Sequence, residues 1–174
     1  MQSRSRLFLT CHRSLLAALF LFAFAASAGE TDCITQAAAC LRVNDLLIKA
    51  VIWKESSYQP HLVHHNMNNS IDVGMMQINS VNFDTLSRLG IGATKLQQNS
   101  CANIYAGTWL LSLAIKRHGY TWDGISYYHS ANPVLRQRYA KSLISIILHN
   151  SQTISAISVP ADPGMQQLFH CDPS

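Results

Sequence analysis

The sequence predicts a mainly α domain with one small β-hairpin or loop region. Three observations predict it: apolar residues recur at helical spacing, good capping residues precede them, and strand-like alternation is scarce. A single polar, turn-rich segment at 61–73 interrupts the helical pattern.

Residues 1–28 read as a secretory signal. Arg4, Arg6 and Arg13 form a basic start with no acid, 15–26 is an apolar core too short for an ordinary membrane span, and Ala26-Ser27-Ala28 is an A-x-A cleavage pattern. The mature chain is then expected to begin at Gly29, with one domain over 29–149 and an irregular tail over 150–174. Cleavage would leave 146 of the 174 residues, a size that suits one domain. The whole chain carries 13 basic and 9 acidic residues, and three of the basic ones lie in the signal, so the mature part has 10 against 9. The apparent basicity is mostly targeting and gives no support to a nucleic-acid footprint. The expected product is an exported monomer with no stable membrane span once the signal is removed.

Along the mature chain, 31–40 is Ala-rich and reads as a short helix. Asn44 and Asp45 are good caps for the apolar run 46–53, and Pro60 stops its continuation. Segment 61–73 holds His61, His64, His65, Asn66, Asn68, Asn69, Ser70 and Asp72 and reads as a loop or small hairpin. A helix is expected over 81–89, with Gly90 and Gly92 breaking the chain after it. Residues 101–118 are apolar on all sides and end at Gly119, the pattern of a central buried helix. Two more helices are expected over 122–130 and 134–148, with Pro133 between them. Beyond 150 the periodicity is weak and Pro160 and Pro163 intervene.

Cys33, Cys40, Cys101 and Cys171 follow the signal. An even count in an exported chain implies two disulfides, with three possible connectivities. A Cys33–Cys101 bridge would close a long loop and contribute about 4 kcal/mol, leaving Cys40 for Cys171. Buried free thiols are the alternative. The spacings are not those of a zinc site.

Glu55 is the only glutamate besides Glu30. With Ile48, Val51 and Ile52 it follows i, i+3, i+4, i+7 spacing, so it shares one helical face with apolar residues. A carboxyl held against an apolar face resists ionising, and a glutamate still protonated near neutral pH can act as a general acid. The plainer alternative is a solvated carboxylate at a helix end.

Three segments carry the remaining signal: Glu55-Ser56 at a helix end, Gly74-Met75-Met76-Gln77-Ile78-Asn79 after the polar loop, and Tyr127-Tyr128-His129-Ser130-Ala131 at another helix end. In this order, over about 32–139, the sequence resembles the lysozyme-like lytic transglycosylases, specifically the small secreted kind associated with secretion, conjugation and pilus machines. Cys101-Ala102-Asn103-Ile104, followed by Gly107 and Trp109, also resembles that subgroup. His129 and Ala131 stand where the general pattern has Asn and Gly.

The resemblance implies a lysozyme-like α+β fold and peptidoglycan as substrate, with a periplasmic location and no cofactor. The bond cleaved would be the β-1,4 link from N-acetylmuramic acid to N-acetylglucosamine. Glu55 would protonate the glycosidic oxygen, then take the proton of the muramyl C6 hydroxyl as it closes onto C1, giving a 1,6-anhydro sugar. Two-carboxyl glycosidases need a second acid, whereas internal attack by a hydroxyl already in place does not. Asp72 is the one aspartate expected near, and its turn-rich setting favours a structural hydrogen-bonding role. Ser56 is expected to steady the Glu55 region. Gln77 is expected to bind an acetamido or hydroxyl group, Met76 to line the cleft floor, and Tyr128 to reach the glutamate and tune its proton affinity. Each of these has a packing or bracing alternative. Asn79 reads as a turn or cap residue. His61, His64 and His65 lack an evident fourth ligand and read as a solvated loop, with no metal. Trp53, Trp109 and Trp122 fit core positions better than sugar platforms. The rival functions are a hydrolytic muramidase and a wall-binding assembly factor that has lost its activity.

Overall fold

Asp32 opens the described chain by capping its first helix, its carboxylate accepting from the Thr35 amide. The computed structural model describes residues 32–171, so the signal reading for 1–28 lies outside the described residues. The helices are α1 (Cys33–Leu41), α2 (Asp45–Ser56), α3 (Phe83–Arg88), α4 (Ala93–Gln98), α5 (Ser100–His118), α6 (Trp122–Ser126), α7 (Pro133–Ser155) and α8 (Pro163–Leu168). Between α2 and α3 lie strands β1 (Val63–His65), β2 (Ile71–Val73) and β3 (Ile78–Asn79), an antiparallel sheet in the order β1-β2-β3. The expectation of a mainly α domain with a small hairpin holds, and a third strand is added from within the Gly74–Asn79 motif.

Helix α5 is the centre. Residues 101 to 108 are all buried, and α1, α4, α6 and α8 pack on it. Asn99 caps α5 by accepting from the Ala102 amide, and Gly119 (φ 90°) ends it. Helix α2 lies along α7, its Leu47, Ile48, Val51 and Ile52 buried.

Asn103 is a fully buried polar residue in this apolar column. Its Oδ1 accepts from the Met76 amide at 2.9 Å, and its Nδ2 donates to the carbonyls of Val73 (2.9 Å) and Leu96 (3.0 Å). The motif loop is therefore docked onto α5 by one side chain. Gly74 (φ 73°) and Gly107 allow the close approach. A Cβ on Gly74 would stand 2.2 Å from Asn103 Nδ2, and one on Gly107 2.5 Å from Met76 Sδ. Replacing Asn103 by Ala would strand three buried backbone groups, so a loss of about 3 kcal/mol is expected in urea unfolding.

The structure departs from the sequence reading in four places. The helix expected over 122–130 stops at Ser126, and 127–129 turn back through 3₁₀-type bonds such as Tyr128 N–H to Ile125 O. The helix expected over 134–148 runs on to Ser155, passing a kink at Asn150, because Ile154 is a further buried residue on its inner face. Helix α4 was not expected; it is a six-residue turn held by buried Leu96.

The tail beyond 150 is not irregular. Ile157, Val159 and Met165 are buried, α8 packs on α1 and α5, and Cys33 N–H donates to Val159 O. Asp32 accepts from the Val159 amide and the Ser158 hydroxyl. Burial alone would raise the Asp32 pKa, but these bonds and those from Thr35 outweigh it and hold the carboxyl below its usual range. The disulfides are Cys33–Cys101 (Cα–Cα 5.7 Å) and Cys40–Cys171 (5.1 Å).

Candidate active site

The carboxyl end of α2 brings Glu55 to one wall of an open groove of about 1020 Å³. The opposite wall is the β-sheet and its turns, which supply Asp72, Gln77 and Asn79, and the third side is the α6–α7 connection, which supplies Tyr128 and His129. Tyr127 walls the same side, sandwiched between His118 (ring centroids 3.6 Å) and the Arg136 guanidinium (3.9 Å), which is itself paired with Asp123.

Glu55 is turned inward from its helix. Burial pushes its pKa from 4.5 up to about 7, the nearby Asp72 charge adds to the rise, and Tyr139 and Lys54 act against it. The Tyr139 hydroxyl donates to Glu55 Oε1 at 2.5 Å. Tyr139 comes from α7, where it and Leu143, one turn on, are both buried. Burial first, and then Glu55, drive the Tyr139 hydroxyl well above its ordinary pKa, so it stays a proton donor throughout the working range. A tyrosine hydrogen bond favours the ionised carboxyl. Tyr139→Phe should therefore let Glu55 hold its proton longer and shift the alkaline limb of a pH–rate profile upward by about one unit.

Asp72 faces Asn79 across the β2–β3 pair. Its two oxygens each accept from an amide, Asn66 Nδ2 at 2.9 Å and Asn79 Nδ2 at 2.7 Å. Ser70 joins both amides, so the carboxylate is fixed in direction while its surface borders the groove.

The residues singled out in sequence divide into two groups. Glu55, Gln77 and Tyr128 line one groove. Ser56 and Met76 do not. Ser56 is buried and its hydroxyl donates to Ile52 O at 3.1 Å within α2. Met76 is fully buried against Gly107, so it is core and not cleft floor. The role expected of Tyr128 is also corrected: its hydroxyl donates to the Met76 carbonyl at 2.7 Å, and the glutamate's partner is Tyr139. Tyr128 thus pins the motif loop from the α6–α7 side as Asn103 pins it from α5. Gln77, in the left-handed region (φ 47°), spends its Nε2 on the carbonyls of Gly74 (2.8 Å) and Leu62 (3.2 Å), bracing the turn. Its backbone conformation turns the loop into β3.

His61 Nδ1 lies 3.1 Å from the Gln97 carbonyl, and no group of three His, Cys, Asp or Glu among the described residues could hold a metal ion. Trp53 and Trp109 pack against the core, Trp122 is partly exposed, and none of the three borders the groove.

A helical domain with a three-stranded antiparallel sheet, and a glutamate at a helix end facing that sheet across a groove, is the lysozyme-like arrangement. The transglycosylase SLT domain matches residues 32–142, and the chain belongs to that family of lytic-transglycosylase-type, glycosidic-bond-cleaving enzymes. The chain is 33% identical over 116 residues to the invasion protein IagB of Salmonella typhimurium (strain SL1344), covering 64% of this chain and 72% of the relative. It is 34% identical over 100 residues to the X polypeptide of Escherichia coli, covering 58% and 59% respectively. Protein IpgF of Shigella flexneri is 28% identical over 110 residues, covering 63% and 72%. The family resemblance read from the three motifs is thereby upheld. Family membership implies peptidoglycan as substrate and an extracytoplasmic location, which the two disulfides fit. Among the described residues no helix is long and apolar enough to cross a membrane.

Proposed function

We propose that this protein cuts the β-1,4 bond between N-acetylmuramic acid and N-acetylglucosamine in peptidoglycan, leaving a 1,6-anhydro end. The observation that carries this is the Glu55 carboxyl, raised to about 7 at the wall of a groove and held by Tyr139. In the first half of the reaction Glu55 gives its proton to the glycosidic oxygen as C1 becomes positively charged. In the second half the carboxylate, now bonded by Tyr139, takes the proton of the C6 hydroxyl as that oxygen closes onto C1. No water enters. The fixed Asp72 carboxylate, bordering the same groove, would stabilise the positive charge at C1.

Asp72 also favours a second reading. A carboxylate held in place opposite Glu55 could orient a water and make the enzyme a hydrolytic muramidase. Mass spectrometry of digested wall separates the two, because an anhydro end is lighter than a reducing end by one water. Reducing ends alone would sink the transglycosylase reading.

The wider role is supported by the names of the relatives, one of them an invasion protein. Local opening of the wall for an envelope-spanning secretion, conjugation or pilus machine is the setting that fits a small exported enzyme of this family. Export by the 1–28 signal would deliver it to the periplasm. Activity in periplasmic extracts, and its loss from them when the signal is deleted, is the corresponding test.

A further inference from the structure

The His129 ring lies parallel to that of Tyr139, with centroids 4.6 Å and planes 4° apart, and His129 borders the groove. The hydroxyl of the same Tyr139 is the donor to Glu55. A flat stack restricts rotation of the tyrosine ring and so fixes the direction of its O–H. Building on the cleavage reaction proposed above, we propose that His129 is a positioning residue for Glu55: neutral, it holds Tyr139 in line with the carboxyl, and protonated, it closes the site on the acid side.

The charged and titratable groups around it come from every neighbouring element. Lys54 and Glu55 are on α2, His64 on β1, Asp72 on β2, Tyr128 beside it in the chain and Tyr139 on α7. Arg136 is engaged with Asp123 and the Tyr127 face. Burial, and then Lys54, hold His129 below its ordinary 6.5 against the pull of Asp72. The same burial raises Glu55 and lowers His129, so it favours a protonated carboxyl beside a neutral imidazole, the state the first step needs. A second proton puts an imidazolium in the groove where the sugar C1 must become positive, and like charges in a partly desolvated site repel. It also makes the Glu55 carboxylate a weaker base for the second step. Glu55 alone gives only an alkaline limb to kcat/KM. An acid limb needs another group, and His129 borders the groove beside Glu55.

Two variants separate geometry from charge. His129→Phe keeps a stacking ring and cannot be protonated, whereas His129→Ala loses both properties. In clearing of purified peptidoglycan, the Phe variant should retain about fivefold more of the neutral rate than the Ala variant, and its acid limb should move down by about one pH unit or more. An acid limb that superimposes on the parent's would overturn the charge role. Equal neutral rates for Phe and Ala would overturn the positioning role. Proton NMR of the protein without substrate gives a readout independent of wall cleavage. The His129 ring resonance, identified by its loss in both variants, should lie upfield and shift downfield in Tyr139→Leu; no shift would remove the stack itself. A parent protein that shows this resonance pattern but clears no wall would defeat the cleavage reading, and the acid-side role with it, while the positioning contact stood.

Discussion

Glu55→Gln is expected to lower wall cleavage on the order of 10³-fold and, at the same time, to stabilise the protein above neutral pH. Both effects have one cause. The groove wall keeps the carboxyl short of water, which makes it a usable acid near pH 7 and an unfavourable anion above it. Because the folded-state pKa is raised, the folded protein binds more protons than the unfolded chain between 4.5 and about 7, so stability falls across that window as pH rises. Above it the parent carries the full penalty, about 2 kcal/mol once water reaching the carboxyl from the groove is allowed for. Glutamine keeps the shape, still accepts from Tyr139 and carries no charge. Its melting temperature should match the parent's at pH 4 and exceed it at pH 8. Matching curves at both pH values would show that the carboxyl is not held in dry surroundings. A variant that retained clearing would show that Glu55 is not the acid of the reaction, whereas one that lost clearing but still bound peptidoglycan would exclude a wall-binding factor without activity.

The second large effect is expected at Cys33–Cys101. Both residues are buried, and the bridge ties the start of α1 to the start of α5 across 68 residues of sequence. Replacing both by Ala should cost about 4 kcal/mol in the chain-entropy account. That is a large share of the 5–15 kcal/mol typical of a domain. Urea unfolding of the double-Ala variant against the parent, both without reductant, measures it. The Cys40–Cys171 bridge closes a longer loop, but chiefly fastens the tail. Its loss should open residues 157–171 to protease before the rest of the domain. Unchanged unfolding of the parent in reductant would refute the first expectation.

Elements whose signals are local were legible in the sequence. Asn44 and Pro60 bound α2 within a residue or a few, Gly119 ends α5, and the turn-rich 61–73 segment is the hairpin. The tail was not legible, because its order comes from Asp32 and Cys40, far away in sequence. The extension of α7 was hidden by polar His149 and Asn150, the latter at the kink. Glu55 could be picked out because its spacing places it on an apolar face. Tyr139 could not, since a tyrosine one turn from Leu143 looks like any core aromatic, and its partner is 84 residues distant. Motif position indicated that Tyr128 is near the glutamate, but not which way its hydroxyl points, and that direction decided its role. Met76 was misread for a related reason: it neighbours the groove residue Gln77 in sequence but points to the other side of the turn, into the core.

The first and last described residues are both fastened to α1. Asp32 caps the start of α1, and Cys171 is bonded to Cys40 near its end, about 10 Å further along the axis. Neither α1 nor α8 borders the groove. A cargo, anchor or affinity tag joined at either end therefore attaches to the back of the enzyme and leaves its working front open to a long glycan. The same neighbourhood of ends suits the fold to rewiring, in which a short linker joins 171 to 32 and new termini are cut in an exposed turn outside the groove, such as the one at Leu89-Gly90.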